Sequence, residues 1–237
     1  MENEKIVWRL IAISLTLLCF IPGLCAQDFE AGINFLLGQP QGEFKENVED
    51  LGFGIGGMFA FRPGNSPVMI GVDVEYMLYG SETRQEPFSH TIPDVTVEVA
   101  TRNNILLTHA LLRLQANSGM FRPYLDGLIG MNYFFTETQV RDEDDFEEEP
   151  IASTTNQSDI AFSYGGGGGV MFLVHQKRER SKLTEVLIDF RVRYLLGGEA
   201  TYLKEGSITR QNGTAIIDAL RSRTDLLTYQ FGVVFTF

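Results

Sequence analysis

An all-β, antiparallel, up-and-down eight-stranded transmembrane barrel is the architecture this sequence predicts, on three observations. The stretch 226–237, L-L-T-Y-Q-F-G-V-V-F-T-F, alternates strictly. Leu227, Tyr229, Phe231, Val233, Phe235 and Phe237 take one face, and Gln230, Gly232 and Thr236 are among those on the other. A period of two is the mark of a strand. Left in water, such an apolar strand invites aggregation, whereas in a closed membrane barrel lipid solvates its aromatic row. The second observation is a secretory leader at the amino end. The third is a hairpin rhythm between them, in which connections alternate short and long.

Lys5 and Arg9 precede an apolar run at 10–21, followed by Pro22-Gly23 and Leu24-Cys25-Ala26. A charged region, a hydrophobic core and a small residue at the cut predict a signal peptide over 1–26, with the barrel occupying 27–237. The run is too short to span a bilayer as a helix. Both cysteines, Cys19 and Cys25, fall inside the leader, so the mature chain of roughly 210 residues has no disulfide to staple it. The net charge of −12 belongs to the mature part, because the leader's two acids and two bases cancel. That acidic balance excludes nucleic acid as a partner.

Period-two segments fall at 29–37, 51–62, 68–79, 104–115, 121–136, 160–174, 184–196 and 226–237. Ten or so residues suffice for a tilted strand to cross a bilayer. The short connections are 63–67, 116–120 and 175–183, and the long ones are 38–50, 80–103, 137–159 and 197–225. This is the layout of an outer-membrane barrel with short periplasmic turns and long external loops.

The seventh segment fixes the register. Val186, Ile188, Phe190, Val192 and Tyr194 share one parity, and Glu185, Asp189, Arg191 and Arg193 the other. Slipping one residue would put both arginines into lipid, at about 2–4 kcal/mol each near the midplane. The third segment agrees, with Asp73 and Glu75 opposite a row of Val, Ile, Tyr and Leu. The fourth is ambiguous, since both its faces are apolar and only His109 and Arg113 break the tie. A soluble lipocalin-like barrel would turn this pattern inside out. The second segment argues against that, because Gly52, Gly54, Gly56, Met58 and Ala60 suit a crowded interior better than a solvated face.

By this parity the lumen receives Glu30, Asn34, Asp73, Glu75, His109, Arg113, Arg122, Asp126, Asn132, Glu185, Asp189, Arg191, Arg193 and Gln230. Both signs are present, and buried charges persist only when paired. The expectation is a structural network centred on Asp73, Glu75, His109, Arg113, Asp126, Asp189, Arg191 and Arg193. Eight strands leave space for side chains rather than for a channel.

The chain resembles the small eight-stranded outer-membrane barrels of the OmpA/OmpX-like superfamily, especially the barrel-domain proteins of Bacteroidota. The segments that carry the likeness are R-P-Y-L-D-G-L-I-G-M-N-Y at 122–133, F-S-Y-G-G-G-G-G-V at 162–170, I-D-F-R-V-R-Y-L-L-G-G at 188–198 and the terminal strand. The resemblance implies insertion by the barrel-assembly machinery, with the terminal aromatic Phe237 as the assembly signal. It implies no single function, because such scaffolds carry structural, adhesive and enzymatic members.

Other motifs add little. Gly52, Gly54 and Gly57 satisfy G-x-G-x-x-G, but strand rather than helix follows. Gly165 to Gly169 lack the Gly-Lys-Ser/Thr of a phosphate loop, and suit a curved or closely covered stretch of wall. Residues 141–149 hold seven acids in nine positions, without calcium-loop spacing. They read as a solvated loop, or as a loose divalent bridge to lipopolysaccharide. The basic turn 175–182 suits anionic headgroups. His90, the histidine of a long loop, lies near Ser81 and Ser89, which is too little for a triad. The reading is therefore a monomeric, non-enzymatic barrel without a cofactor. Outer-membrane lipids, lipopolysaccharide and the assembly machinery are its partners, and its work is structural or interactive. Segment 96–100 is expected to lengthen the fourth strand and 198–202 the seventh. The alternatives are passage of small hydrophobic molecules through a deformable wall at the glycine run, and lipid-modifying catalysis.

Overall fold

In a computed structural model, which describes residues 28–64, 66–89, 92–142, 152–179, 182–211 and 214–237, eight strands close into one antiparallel ring. They are β1 (Asp28–Pro40), β2 (Gly52–Arg62), β3 (Val68–Ser89), β4 (Ile92–Gln115), β5 (Phe121–Asp142), β6 (Ala152–Glu179), β7 (Lys182–Gly197) and, at the carboxyl end, β12 (Leu226–Thr236). Every strand pairs with its sequence neighbour, and β12 returns to β1 to close the ring. The closing seam runs from Glu30 opposite Thr236 to Pro40 opposite Leu226. A closed ring leaves no membrane-level backbone unpaired.

The eight predicted strands are all present, but the long connections are not all loops. β3 and β4 run on as a hairpin, with Pro87 opposite Thr96, and β5 and β6 stay paired out to Val140 opposite Ala152. β3 to β6 hold 22, 24, 22 and 28 residues, against 13, 11 and 11 in β1, β2 and β12. At ~3.3 Å per residue about ten residues already cross the bilayer, so one side of the barrel stands far above the other. Residues 96–100 belong to this tall wall, as expected. Residues 198–202 do not lengthen the seventh strand. β8 (Glu199–Tyr202) leaves the ring and pairs with β11 (Leu220–Arg223), while β9 (Ile208–Gln211) pairs with β10 (Thr214–Ile217). The break comes at Gly197, where any Cβ would fall on Thr224, so two glycines let the chain turn inward over the mouth. The first long connection carries the one helix among the described residues, α1 (Gly42–Asn47). Two short turns use left-handed glycines, Gly64 at φ +61° and Gly119 at φ +112°.

The wall has two opposite faces. Ile33, Ile55, Val72, Leu112, Leu125, Ile129, Phe162 and Phe190 project outward and are exposed, while Arg113 and Arg193 of the inner rows are at most 1% exposed. Apolar outside and charged inside reverses the distribution of a water-soluble protein.

Candidate functional site: a filled lumen between two mouths

The inner rows of β3, β4, β5 and β7 meet at mid-height. Arg193 reaches across from β7, with Nη1 donating to Asp73 at 3.0 Å and to Glu75 at 3.2 Å, and Nη2 donating to Asp126 at 2.9 Å. Arg113 grips the same Asp126 with two prongs, at 2.7 and 3.0 Å, and lies 3.8 Å over the Tyr124 ring. Arg191 donates to Asp73 and to Asn34, each at 3.4 Å, and its Nε stands 3.0 Å from Asp189. The Tyr124 hydroxyl completes the group, donating to Asp189 at 2.5 Å. Alternate positions on neighbouring strands put three guanidiniums among four carboxylates, all buried. Forked guanidiniums suit this layer because each satisfies two or three acceptors at once.

All eight residues predicted for the lumen network are therefore in the interior, and seven of them share this cluster. His109 sits beside it, its Nε2 3.0 Å from the Ser163 hydroxyl, with both residues buried. His90 lies outside the described residues, as do the leader and the acidic run from residue 143 to 150. His175 is exposed near the short-turn end.

The glycine run of β6 makes room for the layer. Gly165, Gly167 and Gly169 face inward, in unbroken register with β5 and β7. A Cβ on Gly167 would come 2.7 Å from Arg193 Cγ, and one on Gly169 would fall on the Tyr124 hydroxyl.

Above the charged layer the lumen turns apolar, with Leu36, Met77, Ile105, Leu195 and Leu226 buried. The long-loop mouth is then closed by a residue the sequence reading passed over. Phe44 of α1 is 1% exposed and meets Tyr79, Phe134 and Tyr202 edge-on, with ring centroids 5.1 to 5.9 Å away. Polar contacts hold this stopper in place. The Asn47 amide donates to the Tyr202 hydroxyl at 3.0 Å, the Arg223 N–H donates to Glu43 at 3.0 Å, and the Gln41 N–H donates to the Asp225 carbonyl at 2.9 Å. The signal was a lone aromatic in a polar connection, Q-G-E-F-K-E-N. On the rim, above the apolar belt, Asp159 accepts the Thr201 N–H at 2.7 Å and the Ile160 N–H at 2.8 Å. The Thr201 bond, foremost, holds its carboxyl below the usual value.

At the short-turn end Arg122 forms a fork with Glu185, at 2.6 and 2.9 Å, and the Gln115 amide donates to Glu30 at 2.7 Å. Glu30, Arg122 and Glu185 help to line a vestibule of about 380 Å³. The arrangement as a whole binds side chains to side chains, and a second cleft, of about 510 Å³, lies at the long-loop end beside Asp50, Leu78, Tyr79 and Glu205.

No protein-family model matches the sequence, and no curated protein does. Among solved structures, the chain is similar to a major outer membrane protein from Thermus thermophilus, at 11% identity and a TM-score of 0.44, over 90% of this chain and 100% of that one. It is similar to Ail, the attachment invasion locus protein of Yersinia pestis, at 12% identity and a TM-score of 0.38, over 89% and 98%. It is also similar to Neisserial surface protein A, at 11% identity and a TM-score of 0.36, over 89% and 95%. The fold described above rests on its own strand pairing, not on these likenesses.

Proposed function

We propose that this chain is an integral outer-membrane β-barrel, with short turns in the periplasm and the tall wall outside, that serves as a sealed platform for surface contacts. The observation that carries the reading is the outward apolar belt around a ring whose charges are shut inside. Phe190 and Tyr194 are 48% and 42% exposed, while Arg191 and Arg193, interleaved with them, are 3% and 1% exposed. Water would have to solvate the first pair and abandon the second, whereas hydrocarbon suits both. Outer-membrane lipids and lipopolysaccharide then bathe the wall, the barrel-assembly machinery reads Phe237, and the barrel works as a monomer.

The filled interior favours a surface role over passage. A charged layer, an apolar layer and the Phe44 stopper lie in series between the mouths, and the glycine run is sealed by regular pairing on both sides. These features weigh against conduction and against lateral exit through β6. The outward-standing β3–β6 wall provides the surface, and its hairpins are its natural points of contact.

The test is direct. Spin labels at positions 190 and 192 are expected to be reached by lipid-soluble oxygen and not by aqueous nickel chelates, and the unboiled protein is expected to change gel mobility on heating. A detergent-free soluble monomer, or water-accessible labels, would overturn the proposal. Planar-bilayer recordings are expected to stay silent, and steady conductance would restore the transport reading.

A further inference from the structure

We propose that the aromatic well beneath α1 is a receptor for a small phenolic ligand, and that Phe44 is its built-in occupant, carried on a lid that lifts. The well is fixed without help from the lid. Tyr79, Phe134 and Tyr202 touch one another as well as Phe44, with ring centroids 5.9 to 6.4 Å apart. The Tyr79 hydroxyl donates to the Leu203 carbonyl at 2.9 Å. Ser222 donates to the Arg223 carbonyl at 3.1 Å, so the Tyr202 hydroxyl gives its proton to Ser222, 2.7 Å away, and accepts from Asn47. Rings tied from behind in this way form a preorganised slot for a further ring.

The lid is held more lightly. Along 41–50 only Phe44 and Val48 are buried. Six residues are too few for a helix stable by itself, and no side chain caps its amino end. Gly42, with a left-handed φ of +55°, provides a pivot two residues before Phe44. Of the three polar tethers, the bond from the Arg223 N–H to Glu43 lies at the exposed surface. A cleft of about 260 Å³ adjoins the last turn, lined by Glu46, Val48, Tyr79 and Lys204 among others, and the wider cleft at this end shares Tyr79 with it. Open space therefore borders one wall of the well beside the lid.

When α1 swings out, the well loses an aromatic ring and the Tyr202 hydroxyl loses the Asn47 donor. A ring bearing one hydroxyl replaces both at once, edge-on among the three rings and with its O–H on Tyr202. The charged layer below stays shut, so an open lid uncovers a blind well and not a channel. The inference rests on the fold and is independent of the surface role proposed above. A free phenol and the side chain of a tyrosine on another protein share this chemistry.

The experiment uses the mature chain folded in detergent micelles, with a spin label at Glu46→Cys on α1 and heat-shifted gel mobility as proof of folding. Phenol is expected to raise the mobile fraction of the label saturably. Anisole, which lacks the donor, and cyclohexanol, which lacks the aromatic ring, are expected to leave it unchanged at the same concentration. A closed lid lowers the apparent affinity by the fraction of molecules that are open. Glu43→Ala, which cuts the Arg223 tether outside the well, should therefore lower the phenol concentration at half-effect about fivefold. Tyr202→Phe keeps the ring and should erase the advantage of phenol over anisole; if it does not fold, Glu43→Ala decides. A peptide carrying one tyrosine, titrated beside its phenylalanine form, identifies the source. Release of the lid by the tyrosine peptide points to a protein partner, and release by phenol alone points to a free molecule. A label that phenol leaves unmoved in both the parent and Glu43→Ala overturns the proposal, even where Phe44→Ala binds phenol, because that cavity would be the work of the substitution. So does an equal response to anisole or cyclohexanol.

Discussion

The charged layer at mid-lumen and the aromatic stopper at the long-loop mouth solve the same problem, filling the bore of a narrow barrel, in opposite ways. In the layer, three arginines and four acids come from the inner parity of β3, β4, β5 and β7, and each depends on the others. In the stopper, one phenylalanine from a six-residue helix leans on three rings, and nothing electrostatic is at stake for it. The difference teaches that burial of charge makes a site brittle, whereas burial of an aromatic on a connection leaves it yielding. Removing one member of an ion cluster strands the rest in low dielectric. Removing a ring leaves a cavity into which the connection can relax.

Arg193→Leu should show the largest effect, because Asp73, Glu75 and Asp126 all lose a donor. We expect a loss of about 3–5 kcal/mol, read from urea unfolding in lipid vesicles by near-ultraviolet dichroism of the tyrosines. Phe44→Ala should cost less, at the low end of the roughly 3–5 kcal/mol seen for buried Phe→Ala changes, and should leave the mid-lumen signals in methyl or guanidinium NMR in place. If it costs more than Arg193→Leu, the contrast between brittle and yielding fillings is wrong. Gly169→Ala sharpens the comparison from the wall side. The added methyl collides with the Tyr124 hydroxyl, and overpacking of this kind costs about 1–3 kcal/mol.

The smallest effect concerns the rim. The folded value of the Asp159 carboxyl is depressed, so its contribution is complete above the ordinary carboxylate value and fades as pH falls through the lower, folded one. Between about pH 5 and pH 2, exchange of the Thr201 amide should therefore lose protection in the native protein. The Asp159→Asn variant should show no such pH-dependent loss.

The strands and the lumen were legible because period two is rigid. Once Arg191 and Arg193 exclude the lipid side, every residue of β7 is placed, and the antiparallel register carries the same decision through β6, β5 and β4 to Asp126 and Asp73. Sequence alone could not give the partner choice within the lumen, since any of the arginines could have faced any acid across the bore. The Ser163 contact to His109 is of this kind, joining strands two places apart in the ring. The height of β3–β6 was hidden for another reason. Above the membrane both faces of a strand are wet, so Thr, Glu, Gln and Arg succeed one another without an apolar row to mark them. The stopper was missed because a single Phe has no period. Its place is decided by β8 and β11 folding over the mouth, which nothing in the connection 41–48 announces.

The seam between β1 and β12 has a consequence for how the molecule comes into being. Glu30 and Thr236 face each other although they stand at opposite ends of the described chain. The joins between sequence neighbours are local and can zip one after another, but the closing join waits on all of them, and entropy resists it most. Until that join forms, the half-made sheet offers two raw margins, each able to capture a neighbour's strand. An open curl of this chain therefore stays exposed to capture until that last join shuts it.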